Sequence, residues 1–327
     1  MSSSTINSEI FSSDLADSVS FIDQSRAKLE KLEDIRLQKL KNFQWRKKMA
    51  IPIGAILTPV FGFIDYWLVM LQRGNEDAFA GLSVIVLSAL WGWVTQPKRQ
   101  YTRAYKTQIL PDIARLFGDF TYDPKGKIPM EAMKPSKIIP NYTSYRSEDY
   151  FSGTYKNIGI DFSEILLRKK SGKSTVTVFK GLAVLLTNGT RPFHGHTILT
   201  RDNGNVGSWF TQIGSGLKHV DLVDPEFEKL FDVYSSDQTE ARYLIDPMIV
   251  ENLKSLYKEY NGKNMRAAFY DESFLILIAS NENHFEPADI HTPATTSQSL
   301  ISLKREIGQI ISIVERLSLY DPKKRSN

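Results

Sequence analysis

The chain has 327 residues, 41 Lys and Arg against 37 Asp and Glu, five His and no Cys. Its length suggests about two domains, and 42% hydrophobic with 24% charged residues is a globular composition, which excludes collagen-like and wholly disordered classes. Without Cys there is no disulfide framework, zinc–thiolate site, iron–sulfur cluster or cysteine nucleophile, and a net charge of +4 is too small to argue for nucleic acid.

Residues 1–20 hold eight Ser and few apolar residues, and read as a disordered tail. No basic start followed by an apolar run marks a signal peptide. Residues 21–48 read as a basic amphipathic helix. Ile22, Leu29, Leu32, Leu40 and Phe43 fall near one helical face. Its end carries Lys39, Lys41, Arg46, Lys47 and Lys48 without an acid. That end suits a solvated membrane boundary, a short coiled coil or a surface-lying helix on anionic lipid.

Residues 49–96 predict a two-span transmembrane hairpin. Residues 49–71 contain a single charge, Asp65, and residues 78–96 contain none. As helices they reach about 35 and 28 Å; the first is enough for a hydrocarbon core of about 30 Å, and the second is just sufficient with Trp91 and Trp93 as interfacial anchors. Basic residues flank both outer ends, whereas the intervening turn, with Arg73, Glu76 and Asp77, is net acidic. The positive-inside rule then places both flanks, both termini and the main domain in the cytoplasm. Gly54, Thr58 and Gly62 in the first span, and Ser88 and Gly92 in the second, recur every four residues. Small residues at that spacing predict close helix packing, between the two spans or between two chains. Asp65 sits near the outer end, where tilting toward the headgroups explains it more simply than a functional role.

Residues 97–147 read as a juxtamembrane helix broken at Pro111, then a linker with Pro124, Pro129, Pro135 and Pro140. From residue 148 to 287 a cytoplasmic α+β domain is predicted. Strand candidates are 159–169, 174–187, 196–200 and 219–223, separated by turn signals that favour antiparallel pairing. Asp237 with Glu240 predicts a capping box, Asp246-Pro247 a second helix start, and 265–280 a hairpin turning at Asp271-Glu272. Asp224-Pro225 reads as a turn into a short helix. Residues 288–327 give a linker and a terminal amphipathic helix. There Leu300, Leu303, Ile307, Ile310, Val314 and Leu317 are spaced 3, 4, 3, 4, 3, a heptad seam that packs on its own domain or pairs with another chain.

Catalytic signals are sparse. His194 and His196 would share one side of a strand, but no third ligand stands near except Asp202, so no metal is assigned. No cofactor is assigned either: Gly204, Gly207, Gly214 and Gly216 lack the Lys-Ser/Thr of a phosphate-binding loop. The GxSxG, HExxH, EF-hand and kinase signatures do not occur.

The runs EDYFSGTYKNIGIDFSEILL (148–167), VFKGLAVLL (178–186), LVDPEFEKLFDVYSSDQTEARYLIDP (222–247) and FYDESFLILIA (269–279), with FEP at 285–287, resemble the bacterial DUF3137 family. The resemblance implies a bacterial membrane-anchored protein with a cytoplasmic module of unassigned activity, and it transfers no catalytic residue. A patch of shared role would involve Phe179, Lys180, Gly181, Phe227, Phe231, Asp237, Glu240, Ala241 and Arg242. For most of these a structural role suffices. Phe227 and Phe231 suit the core, Asp237 and Glu240 a cap, Lys180-Gly181 a strand bend, and Arg242 an ion pair with an acid such as Asp237. The function expected is a membrane-anchored interaction or scaffold module at the inner membrane, with a protein partner or a second copy held through its helices. A membrane-bound hydrolase using carboxylates with His194/His196, and an anionic-lipid-reading module, are the alternatives.

Overall fold

Apolar residues at helical spacing and a few prolines set the first part of the chain. The computed structural model describes residues 3–71, 81–115, 119–155, 157–188, 192–200, 216–222, 224–259 and 264–295. They divide into two units, 3–109 with 286–295, and 110–285.

In the first unit, α1 (Ser3–Leu71) begins inside the serine-rich stretch that composition reads as a tail. Helix α2 (Leu82–Ala104) runs back along it. The antiparallel register is fixed by three bonds: the Asp65 carboxylate with Ser83, Arg46 with the Trp93 carbonyl, and Lys39 with Gln100. Among the described residues one helical stretch, Lys28–Leu71, is long and apolar enough to cross a membrane. The expected two-span hairpin is therefore seen as a helical hairpin with one qualifying helix; residues 72–80, the predicted turn and the first three residues of the second predicted span, lie outside the described residues. After Ala104 the backbone widens into a π turn, Tyr105–Ile109, before α3 (Leu110–Ala114). Pro111 explains the widening, since its ring clashes with the carbonyl four residues earlier and it offers no N–H.

Residues 286–295, where the segment expected as a linker begins, pack on this hairpin. Ile290 and Ala294 are buried, together with Leu29, Leu32, Arg36 and Tyr101. Arg36 holds Glu33 through Nε at 2.8 Å and Nη2 at 2.6 Å, and donates from Nη1 to the Ile290 carbonyl at 2.6 Å. The Ala294 N–H closes the clasp on Glu33 at 2.7 Å. Lys106 pairs with Glu286 at 2.7 Å, and the His291 ring meets Phe43 edge-on. Burial pushes the Tyr101 hydroxyl beneath this strap up to about 12.

The second unit is a nine-stranded sheet in which every pairing is antiparallel. Its strands are β1 (Thr121–Asp123), β2 (Ser144–Tyr155), β3 (Ile158–Ser171), β4 (Ser174–Asn188), β5 (Thr197–Thr200), β6 (Lys218–His219), β7 (Asp232–Ser235), β8 (Met265–Tyr270) and β9 (Ser273–Ala279). They lie in the order β1-β2-β3-β4-β9-β8-β5-β7-β6. The α+β class with an antiparallel sheet is as expected. Strands β3, β4, β5 and the β8–β9 hairpin match the predicted segments, and Asp271 takes the positive φ its turn needs.

Strands β1, β2 and β7 escaped the sequence reading. So did the role of 120–147: Ile128, Met133 and Ile138 are fully buried, with α4 (Met130–Met133) beside them. They cover one sheet face, formed by Ile165, Leu167, Ala183, Leu185, Leu275, Leu277, Ala268 and Ile198. On the opposite face of β3, Phe162 stacks on Phe151 at 4.6 Å between Phe120 and Phe285. Short helices α5 (Pro225–Glu228), α6 (Gln238–Leu244) and α7 (Pro247–Glu259) complete the unit. Asp224, Asp237 and Asp246 each accept first-turn amides of the helix that follows.

Candidate functional site

The segments singled out in the sequence fall in two places on the sheet. Lys180 and Gly181 lie on β4. Asp237, Glu240 and Arg242 follow β7, which four strand spacings, roughly 19 Å, separate from β4. They do not form one patch.

Gly181 has φ +154°, and a Cβ there would stand 2.0 Å from the Ile278 carbonyl oxygen. It is the point where β4 lies tight against β9. The Lys180 ammonium donates to the Asn281 carbonyl at 2.9 Å and to Asn283 Oδ1 at 3.2 Å, which anchors the segment leaving β9. A few residues on, the His284 N–H reaches the Glu164 carboxylate. Burial holds the His284 imidazole below its ordinary value.

Lys180, Gly181 and Glu164, with Arg146, Glu148, Glu282 and Asn283, line a cavity of about 200 Å³. It is smaller than ordinary small-molecule sites of about 300–1,000 Å³ and carries both signs of charge. Its amine and one of its carboxylates are bonded to the protein's own backbone. The arrangement fixes a chain segment; it does not present a free nucleophile.

A bulge between Glu148 and Phe151 leaves Asp149 at φ +54° and almost fully buried, where the Tyr122 hydroxyl donates to it. Adjacent carboxylates thus part company, Glu148 to the cavity wall and Asp149 into the fold. Nothing in the sequence pattern marks a bulge there.

At the other place, Asp237 caps α6 by accepting the Thr239 and Glu240 amides at 2.9 and 3.0 Å. The second half of the predicted capping box is replaced. Glu240 accepts the backbone N–H groups of His194, at 2.7 Å, and Gly195, and so clamps the loop before β5. Gly195 is close-packed there, with a Cβ position 2.9 Å from Asp237 Cβ. Arg242 makes no pair with Asp237; its nearest partner is the Asp221 carbonyl, at 3.5 Å. Ala241, Phe227 and Phe231 are core, as is Phe179 on β4.

The two histidines do not converge. His196 Nε2 meets the Ser136 carbonyl at 2.9 Å, its ring lies over Tyr270, and burial lowers its pKa. His194 is exposed and held through its backbone. No group of three metal-ligating side chains occurs among the described residues.

In the hairpin, only Gly54 of the small residues faces the other helix, with a Cβ position 3.6 Å from Leu90. Thr58, Gly62 and Ser88 are exposed, and a Cβ on Gly62 or Gly92 would meet nothing within 4 Å. The shielded residues of the hairpin are larger ones (Ile53, Leu57, Phe61, Ile64 and Leu68 on α1, Val86, Leu90, Val94, Pro97 and Tyr101 on α2), whereas most of the small stripe is exposed. Asp65 is explained. Its Oδ2 accepts the Ser83 hydroxyl at 2.6 Å and the Ser83 N–H at 3.1 Å, capping α2 from the neighbouring helix. Leu300, Leu303, Ile307, Ile310, Val314 and Leu317 lie outside the described residues.

No curated protein matches the chain. Among solved structures it is similar to the mycobacterial trehalose monomycolate transport factor A, TtfA, at 9% identity, over 62% of this chain and 91% of that one, with a TM-score of 0.34. A likeness that slight carries no argument. A family model described as protein of unknown function (DUF3137) matches residues 177–319. That span contains EFEKLFDVYSSDQTEARYLIDP (226–247), the Asp237 cap and the Glu240 clamp. It starts within β4, later than the resemblance read from 148 onward. Residues 177–319 of this chain belong to the DUF3137 family.

Proposed function

We propose that the chain is a membrane-anchored interaction module. In this reading α1 and α2 cross a bacterial cytoplasmic membrane as a two-span hairpin, both termini are cytoplasmic, and the sheet domain and terminal helix hold a protein partner or a second copy at the inner face.

One observation carries the anchor. The exposed row of α1 reads Lys41, Trp45 and Lys48, then Pro52, Ile56, Pro59, Phe63, Tyr66 and Met70. The exposed face of α2 carries Val84, Ile85, Leu87 and Trp91, then Arg99 and Arg103. The Arg46–Trp93 bond and the Trp45–Trp93 ring contact at 6.0 Å set these two changes from apolar to basic at the same level. Two neighbouring helices that change character together fit a bilayer boundary with its aromatic belt. Exposed Ile, Phe and Val side chains on that scale are otherwise costly in water.

The Cys-free chain makes the test direct. Single Cys substitutions at Asn75 in the turn and Lys173 between β3 and β4 are probed with a membrane-impermeant maleimide on intact and on permeabilised spheroplasts. Asn75→Cys labels from outside, and Lys173→Cys only after permeabilisation. Labelling of both from the same side overturns the two-span reading.

The interaction role is supported by the heptad pattern of 300–317 and by polar groups that are already committed within the fold. Solubilised full-length chain is compared by affinity capture with a chain ending at Thr295, which keeps the strap. A reproducible partner, or a second copy, lost with the terminal helix supports the module. No reproducible partner for either chain overturns it.

A further inference from the structure

Of the cations near the level where α1 and α2 change character, four are used inside the protein. Lys39 donates to Gln100 at 2.9 Å. Arg46 donates to the Trp93 carbonyl and lies 5.1 Å above its ring. Lys98 pairs with Asp289 at 3.4 Å and lies over Phe43, and Lys106 pairs with Glu286. The other five, Lys41, Lys47, Lys48, Arg99 and Arg103, are exposed, and none has a side-chain partner among the described residues.

Their placement is regular. Lys41, Trp45 and Lys48 lie within about 60° on α1, and Arg99 and Arg103 are one turn apart on α2. The Lys39–Gln100 bond sets Lys41 level with Arg99. Trp45 stands among them 58% exposed, edge-on to Trp93. The five cations therefore form a band that extends roughly 18 Å along both helices, with Lys47 and Lys48 directly beside the exposed apolar surface. Two side chains that end in delocalised guanidinium forks suit bidentate contact with phosphate oxygens.

We propose that this band is a headgroup site. It retains phospholipids whose phosphodiester headgroup is net anionic, in preference to zwitterionic lipids, around the cytoplasmic end of the hairpin. The site deepens the anchor reading and rests on it. Each exposed cation gains attraction only from a surface that carries net negative charge, because a zwitterionic headgroup returns the charge it offers. Among the described residues, no acid pairs with the band's cations. Free phosphate shares the chemistry but lacks the acyl chain that the adjoining Trp45, Pro52 and Ile56 would cover.

The full chain is reconstituted in phosphatidylcholine vesicles containing a trace of spin-labelled phosphatidylglycerol or spin-labelled phosphatidylcholine. The fraction of label slowed by the protein gives a relative association constant. A several-fold preference for phosphatidylglycerol is expected at low salt, falling at 1 M NaCl as screening shortens to about 3 Å. K41Q/K47Q/K48Q/R99Q/R103Q brings the ratio to about one, whereas the charge-keeping K41R/K47R/K48R/R99K/R103K retains it. Equal association of both lipids with the native chain overturns the proposal. So does a preference that survives neutralisation, is lost in the charge-keeping chain, or is abolished by millimolar inorganic phosphate at constant ionic strength. Resistance of the native chain to alkaline extraction is scored separately, so failure of the anchor is not confused with failure of the headgroup site.

Discussion

At the scale of single residues, backbone geometry and burial decide more than the charge pattern does. Gly181→Ala puts a methyl group 2.0 Å from a carbonyl oxygen in the middle of the sheet, at a φ that L residues rarely adopt. A loss of about 3 kcal/mol or more is expected in chemical denaturation of the sheet domain. Gly159→Ala is the control on β3, because its Cβ would stand at an ordinary 3.7 Å from Thr187; its midpoint should move little. His196 gives a second test. Burial holds its imidazole below the ordinary 6.5 while the unfolded chain titrates there, so the unfolded state binds the extra proton. Stability from the neutral ring is complete above about pH 6.5 and falls as the pH drops toward the lowered native value. The urea midpoint should fall between pH 7.5 and 5.5, and less so in His196→Gln. His284, shifted the same way by burial, keeps part of the dependence in the variant. An identical pH profile in both proteins would refute the assignment to His196.

At the scale of elements, what was legible depended on whether the signal was local. The long apolar runs of β3, β4 and β9 and the Asp-Pro starts of α5 and α7 announce themselves within a few residues. Strand β2, SYRSEDYFSGTY, does not, because its buried residues, Asp149 and Phe151 among them, sit next to a bulge that breaks the alternation. The segment 120–147 reads as linker by its prolines, yet Ile128, Met133 and Ile138 are core. The local spacing of Asp237 and Glu240 fits a capping box. The true partners of Glu240, two loop amides 46 and 45 residues away, are fixed by the sheet. The strap is the extreme case, since Arg36 and Ile290 are 254 positions apart. Breaking it is a sharp test. Arg36→Ala leaves the Glu33 carboxylate without its guanidinium and the Ile290 carbonyl without its donor, in a place where both charged side chains are largely shielded from water. Limited proteolysis should cut 286–295 at least tenfold faster in the variant, with the β-sheet signal unchanged. The Arg36 guanidinium holds Glu33 below its ordinary value, so its contribution is present above about pH 4.5 and is lost as the pH falls through the native value. Native strap protection should weaken on that side, and equal cutting rates at pH 7 for the native chain and Arg36→Ala would show that the clasp does not hold it.

At the scale of the whole molecule, two units with surfaces of opposite character share one chain. The hairpin exposes Ile51, Ile56, Phe63, Met70, Ile85 and Trp91, whereas the sheet unit buries Phe151, Phe162, Phe227 and Phe285 completely. Surfaces of such opposite character favour different media, an apolar one such as detergent for the first and water for the second. The tryptophans separate them further. Trp45, Trp67, Trp91 and Trp93 belong to the hairpin, and Trp209 alone lies in the sheet portion of the sequence. Indole fluorescence therefore follows mostly the helices, while the far-ultraviolet β signal follows the sheet. Phe162→Ala removes a fully buried ring that stacks on Phe151 at 4.6 Å and lies 6.0 Å from Phe285, and the cavity should cost the sheet unit about 3–5 kcal/mol. Thermal scans in detergent should show the β transition falling by several degrees while the tryptophan transition stays in place. If both transitions fall together, the units unfold as one cooperative body, and the helical hairpin would then contribute to the sheet unit's stability.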